Sequence, residues 1–277
     1  MTFKNVLVST DGSACASGAT AHGVALARAF EGRIRAVSAI DPTRFGGSAA
    51  GDPSDLVERQ TAMARRRAEE ALADVADRAA AAGVPAETVV VEGHPHDALD
   101  EQIREMGADL VTMGTHGRTG LDHYLIGSVA ERTVRTSPAP VLVVHGDEDG
   151  LPDYDDVVVP TDGSAHAARA ADLAVAVAGA FGATLHALHV GDADLTGEVV
   201  ARADAAGVPN EAVVRQGNPG RTIVAYADEV DADLVAMGTH GRTGLDRRLV
   251  GSVAERTVRR ATHPVLTVHA SESNGSV

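Results

Sequence analysis

Short apolar runs and longer stretches of helical spacing alternate along this chain of 277 residues. The runs Val6–Thr10, Ile34–Ile40, Thr88–Val91, Leu110–Gly114 and Val141–His145 are rich in Val or Ile, with no tight hairpin signal between them. That pattern predicts buried strands. Between them Ser13–Phe30, Ser54–Ala82, Pro95–Met106 and Ser128–Thr136 place Ala, Arg, Glu and Leu at helical spacing. Parallel strands need crossovers of this kind, so the pattern predicts a doubly wound α/β domain, its five-stranded parallel sheet flanked by helices.

The pattern then runs a second time. "VLVSTDGSACASGATAHGVALARAF" from Val6 has its counterpart in "VVVPTDGSAHAARAADLAVAVAGAF" from Val157. "MGTHGRTGLDHYLIGSVAERTVR" from Met113 returns as "MGTHGRTGLDRRLVGSVAERTVR" from Met237. The copies are offset by 151 positions at the first pair and by 124 at the second, so the second copy lacks 27 residues, roughly the equivalent of Asp41–Arg67. The chain therefore reads as a tandem duplication: a domain over 1–146, a polar linker over 147–155 within "GDEDGLPDYDD", a domain over 156–270 and a disordered tail over 271–277. The length suits two domains, each burying its own core. Left as free edges, the apolar last strands Val141–His145 and Pro264–His269 would invite aggregation, so an intrachain pseudo-dimer through these strands is expected, with a homodimer also open.

Charge narrows the class. The formal net charge is −15 and Lys4 is the sole lysine, so the surface repels nucleic acid and anionic lipid. Asp-rich, Lys-poor composition resembles the proteome style of extreme halophiles and points to a halophilic archaeal source; the plainer alternative is an ordinary acidic soluble protein. Cys15 stands alone, which excludes an internal disulfide or a Cys-based metal site. With no leader pattern and no apolar run near the ~18 residues a bilayer crossing needs, the expected location is the cytoplasm.

In an open parallel sheet, ligands sit beyond the carboxyl ends of the strands. "STDGS" (Ser9–Ser13) leaves the first strand there, and "GTHGRTG" (Gly114–Gly120) leaves the fourth. Gly127-Ser128 then opens a helix whose unpaired N–H groups and partial positive charge suit phosphate. Gly114 and Gly117 would let the backbone approach it, and Arg118 is the loop's own cation. Gly238, Gly241, Arg242, Gly251 and Ser252 repeat these parts. The alternative needs no ligand: Ser128 with Glu131, and Ser252 with Glu255, fit a capping box, and Ser13 and Ser164 are ordinary N-caps. Yet the near-identity of the copies reaches back to Met113 and Met237, further than a cap requires, while Pro95–Ile103 and Pro219–Val224 have diverged.

The frame G-x2-G-x9-G-S, with "DGS" after the first strand and "PVLVV" in the last, resembles the universal stress protein family, in particular its ATP-binding branch, over essentially all of both domains. The resemblance implies a Rossmann-like sheet of the adenine nucleotide alpha hydrolase-like kind, usually dimeric, with ATP at the loops. Carried onto this chain it places adenine and ribose near Ser9, Thr10, Asp11 and Ile40, and phosphates near Met113, Gly114, Gly117, Arg118, Gly127, Ser128 and Val129. In the second copy the implied residues are Pro160, Thr161, Asp162 and Val190, then Met237, Gly238, Gly241, Arg242, Gly251, Ser252 and Val253. Ser9 stands where the family more often has Pro, and the shortened crossover after Val190 leaves the second site expected to be more open or weaker.

No Walker loop is possible with Lys4 as the only lysine, and no G-x-G-x-x-G follows the first strand. His116 and His240 could act as general bases, or could simply shape the loop, since neither has an evident orienting carboxylate. No residue is assigned a catalytic role. The twelve histidines show no metal spacing, "GHPH" (Gly93–His96) being the nearest, so Mg²⁺ would arrive with ATP, held by phosphate oxygens and water. Arg65-Arg66-Arg67 reads as a salt-bridged helix face and Cys15 as a packed residue. The reading is an ATP-binding stress-response switch with little or no hydrolysis; the alternatives are a slow ATP hydrolase and a nucleotide-free scaffold.

Overall fold

The structure is a computed structural model that describes residues 2–45, 53–115, 126–148, 150–239 and 251–269. The first half runs β1 (Asn5–Ser9), α1 (Ala14–Ala29), β2 (Arg33–Ile40), a 3-10 turn (Pro42–Phe45), α2 (Pro53–Ala81), β3 (Ala86–Glu92), α3 (Pro95–Met106), β4 (Leu110–Gly114), α4 (Ser128–Thr136) and β5 (Val141–Val144). The second runs β6 (Asp156–Pro160), α5 (Ala165–Phe181), β7 (Thr184–Val190), α6 (Gly197–Ala206), β8 (Asn210–Arg215), α7 (Pro219–Glu229), β9 (Leu234–Gly238), α8 (Ser252–Arg260) and β10 (Val265–Val268). The missing residues of the second copy fall in the second crossover, where α6 is short and α2 long. The strand β3 starts two residues before the apolar run that predicts it because Ala86 and Glu87 are exposed on an edge strand and add nothing to that run.

The strands among the described residues join one ten-stranded sheet in the order β3-β2-β1-β4-β5-β10-β9-β6-β7-β8. Pairing is parallel within each half, and the seam is the antiparallel pair β5–β10, with Leu142 opposite Leu266. Each half has its topological switch point between β1 and β4, or β6 and β9, where connections leave toward opposite faces and open a cleft.

Alternation along each strand sends Val6 and Val8 to one face and Leu7 to the other. One apolar cluster packs α1, α2, α5 and α6 on the first face, and a second packs α3, α4, α7 and α8 on the opposite one. Each cluster runs through both halves, so the expectation of one private core per domain is corrected: the continuous sheet gives the copies two shared cores.

The seam is reinforced by a reciprocal clasp. His145, just after β5, donates from Nε2 to the Val258 carbonyl of α8 at 2.7 Å, and His269, just after β10, donates to the Val134 carbonyl of α4 at 2.7 Å. Both carbonyls belong to the last turn of a helix, where no intrahelical donor exists. Arg259 also reaches Glu131 across the seam at 3.6 Å.

The stretch read as a polar linker holds a structural anchor. Tyr154 is fully buried, stacks edge-on against Phe181 of α5 at 4.7 Å and shares a 2.7 Å hydrogen bond with His22 Nδ1 of α1. Burial lowers the His22 pKa from 6.5 to about 4. The folded state therefore refuses a proton that the unfolded chain accepts, and stability present above pH 6.5 is lost as pH falls toward 4. Between pH 7 and pH 5 a loss of about 2 kcal/mol is expected from this one group. Urea titrations across that range should show a shallower fall in His22→Leu than in the native chain, the difference being this group's share, since burial also holds the His96 pKa down.

Candidate nucleotide site

Each switch point is built from two turns. Asp11 Oδ1 accepts from the Ser13 N–H at 3.0 Å, the Thr10 hydroxyl accepts from the Gly12 N–H at 3.2 Å, and Ser13 caps α1 by accepting from Ala16 N at 3.3 Å. Gly12 sits at φ +77°, which glycine adopts without cost. The second half repeats the turn with Asp162, Thr161, Gly163 and Ser164. Ser13 and Ser164 are thus N-caps, as their sequence context suggests.

The other turn behaves differently. The N-caps of α4 and α8 are Gly127 and Gly251, at φ −64°, ψ 148° and φ −60°, ψ 142°, residues that have no side chain with which to cap the helix. Ser128 and Ser252 are the first residues inside the helices, so the capping-box reading is corrected. Glu131 and Glu255 do not reach back to the caps but meet Arg259. First-turn N–H groups have no intrahelical acceptor, and here they open onto a cleft with the positive end of the helix dipole behind them. Each start is fixed by the threonine just after the preceding strand: Gly127 N–H donates to the Thr115 carbonyl at 2.6 Å and Gly251 N–H to that of Thr239 at 2.7 Å. Thr115 and Thr239 are buried and also bond the Val144 and Val268 carbonyls. The sequence marks them only by their place inside the repeated stretch.

Two clefts result. In the first half Ser9, Thr10, Asp11, Met113, Gly114, Gly127, Ser128 and Val129 line a space of about 280 Å³ together with Ala39, Arg44 and Pro95. In the second Pro160, Thr161, Asp162, Val190, Met237, Gly238, Gly251, Ser252 and Val253 line about 340 Å³, with Leu188, His189, Pro219 and Ile223 as further wall. Both lie near the lower end of the ligand-pocket range. Gly117, Arg118, Gly241, Arg242, His116 and His240 lie outside the described residues.

Ile40 is not in the first cleft; it borders an adjoining space of about 130 Å³ with Ser38, Asp41 and Arg44. Strand alternation explains this. Thr10 N–H bonds the Val37 carbonyl and Thr161 N–H that of Leu188, so Val190 corresponds to Ala39, and pairing it with Ile40 slips the register by one. The shortened crossover removes the Arg44 turn and leaves the second cleft the larger, yet β7 and α7 still wall it.

Gly114 and Gly238 have a packing reason for being glycine. A Cβ on Gly114 would lie 2.7 Å from the Cys15 backbone and Cβ, and one on Gly238 would lie 2.7 Å from His166. The first turns of α1 and α5 press against these strand ends. Gly114→Ala is expected to destabilise the chain by about 1–3 kcal/mol by overpacking, measured by urea unfolding, whether or not a ligand is present.

Comparison with known proteins gives the same grouping. The Universal stress protein family matches residues 2–145, 153–206 and 192–269. A universal stress protein of Methanocaldococcus jannaschii is 34% identical over 142 residues, covering 51% of this chain and 82% of that protein. A putative universal stress protein of Staphylococcus aureus (strain USA300) is 31% identical over 150 residues, 53% of this chain and 87% of that one. The crystal structure of a universal stress protein from Archaeoglobus fulgidus superposes with a TM-score of 0.77 at 25% identity, covering 99% of each chain. With the family pattern running through both halves of one ten-stranded sheet, the chain belongs to the universal stress protein family.

Proposed function

We propose that each half binds one ATP, and that occupancy of the two clefts sets the conformation or partner affinity of a stress-response switch with little or no hydrolysis. The observation that carries this reading is the paired starts of α4 and α8 on the glycine N-caps Gly127 and Gly251, both opening into clefts at the switch points. A helix end so placed is matched to phosphate. The phosphates would rest on the N–H groups of Ser128 and Val129, or Ser252 and Val253, with Gly117 and Arg118, or Gly241 and Arg242, from the loops. The base and sugar would lie toward Ser9, Thr10 and Asp11, or Pro160, Thr161 and Asp162.

Mg²⁺ would arrive with ATP, held by phosphate oxygens and water. Among the described cleft residues His189 is the one histidine, and its Nδ1 is held by a backbone carbonyl rather than by a carboxylate. No helix among the described residues is long and apolar enough to cross a membrane. The net charge of −15 with one lysine fits a protein working at high salt.

Thermal unfolding with Mg-ATP in concentrated KCl tests the proposal. A ligand selective for the folded state adds about 2.7 kcal/mol at a hundredfold excess over its Kd. The expected result is a rise in Tm with ATP and phosphate release no faster than in buffer. Steady release abolished by replacing His116 and His240 would instead support a hydrolase.

A further inference from the structure

We infer that His189 reads the base in the second cleft by accepting a hydrogen bond from the exocyclic amine of adenine. The inference rests on the nucleotide reading of that cleft. His189 is 8% exposed and stands in β7 on the cleft wall. Its Nδ1 lies 2.7 Å from the Thr161 carbonyl oxygen. A carbonyl only accepts, so Nδ1 carries the hydrogen, and the neutral ring is left with Nε2 as an acceptor. No donor among the described residues meets Nε2. The ring lies over Gly191, where a Cβ would come within 2.7 Å of Nε2, so glycine keeps the space that the ring occupies. An acceptor fixed by its tautomer on the cleft wall, and not closed off among the buried atoms, is open to a donor on the ligand.

The cleft supplies the orientation. With phosphates at the start of α8, the far end is bounded by Pro160, Leu188, Val190 and Ile223, apolar surfaces for the faces of a base. Adenine carries an amine where hypoxanthine carries a carbonyl, and a carbonyl facing Nε2 would oppose two acceptors. The first half lacks this device. Register makes Ser38 the counterpart of His189, and Ser38 borders the adjoining cavity rather than the cleft. The first cleft has Arg44 instead, which only donates, alongside Ser9 and the Thr10 and Asp11 that both halves share in kind. Selection by an imidazole acceptor therefore belongs to the second half, and the first half should discriminate less.

The test uses single-site variants of the full chain, Gly127→Asp to leave the second cleft and Gly251→Asp to leave the first, titrated calorimetrically with ATP and with inosine triphosphate. The second cleft should prefer ATP by about tenfold or more, and the first should differ by no more than about twofold. Adding His189→Phe to Gly127→Asp should bring the two ligands to parity. Equal binding of both by the unmutated second cleft, which needs no His189 variant to fold, overturns the inference. So does a His189→Phe variant that keeps the ATP preference but loses its sensitivity to 2′- or 3′-deoxy-ATP, since His189 would then serve the sugar. ATP binding without base preference leaves the nucleotide reading standing; ATP binding at neither cleft overturns both.

Discussion

Tyr154→Ala is expected to lower the unfolding free energy by about 4 kcal/mol, the scale for deleting a fully buried aromatic side chain. Tyr154 is 0% exposed, fills the space between α1 and α5 and holds Phe181 edge-on. Truncation also orphans His22 Nδ1 in a site that excludes water. Tyr154→Phe keeps the ring and removes only the hydroxyl, so its cost should be about 1–2 kcal/mol. Combining it with His22→Leu should cost less than the two single changes added, because the partners then disappear together. Urea denaturation gives these numbers directly; a cost below about 1 kcal/mol for Tyr154→Ala would mean that the segment joining the halves is a simple tether.

The second large effect separates binding from stability. Gly127→Asp and Gly251→Asp each put a good capping residue at an extended N-cap position, with its negative charge at the positive end of a helix. Relative to glycine the cap itself gains a few tenths of a kcal/mol, and the charge about 0.3–1 kcal/mol. Tm should therefore hold or rise. The same carboxylate occupies the N–H groups proposed for phosphate and repels it, so affinity at the altered site should fall by about a hundredfold or more. A variant that is more stable and still binds ATP normally would remove these helix ends from the site.

The sequence carries the alternation of strands and helices well, because parallel strands buried on both faces leave continuous Val-rich runs such as Val6–Val8 and Val141–Val144. It carries the pseudo-two-fold seam through the need to cover two apolar last strands. It does not carry the sharing of the cores, which depends on the seam being continuous sheet. Nor does it show that Tyr154 is an anchor, since one aromatic among Asp, Glu, Gly and Pro reads as linker until Phe181 and His22 are brought beside it. At the site, "GSVAE" fits a capping box and a ligand-binding helix start equally well, and only the backbone shows Gly127 and Gly251 as the caps. Ala39 lines the first cleft and Ile40 the adjoining space, because in a strand one residue turns the side chain to the other face. His189 escapes notice because its tautomer is set by a carbonyl 28 positions away.

On the proposed function, the duplicated loop-and-helix unit makes two separate anion-gripping nucleotide sites within one sheet. The direct measurement is a calorimetric titration of the unmutated chain, Gly127→Asp and Gly251→Asp with Mg-ATP in concentrated KCl. Two sites in the unmutated chain and one in each variant are predicted. No heat and no rise in Tm at millimolar ATP, or two intact sites in both variants, would contradict it.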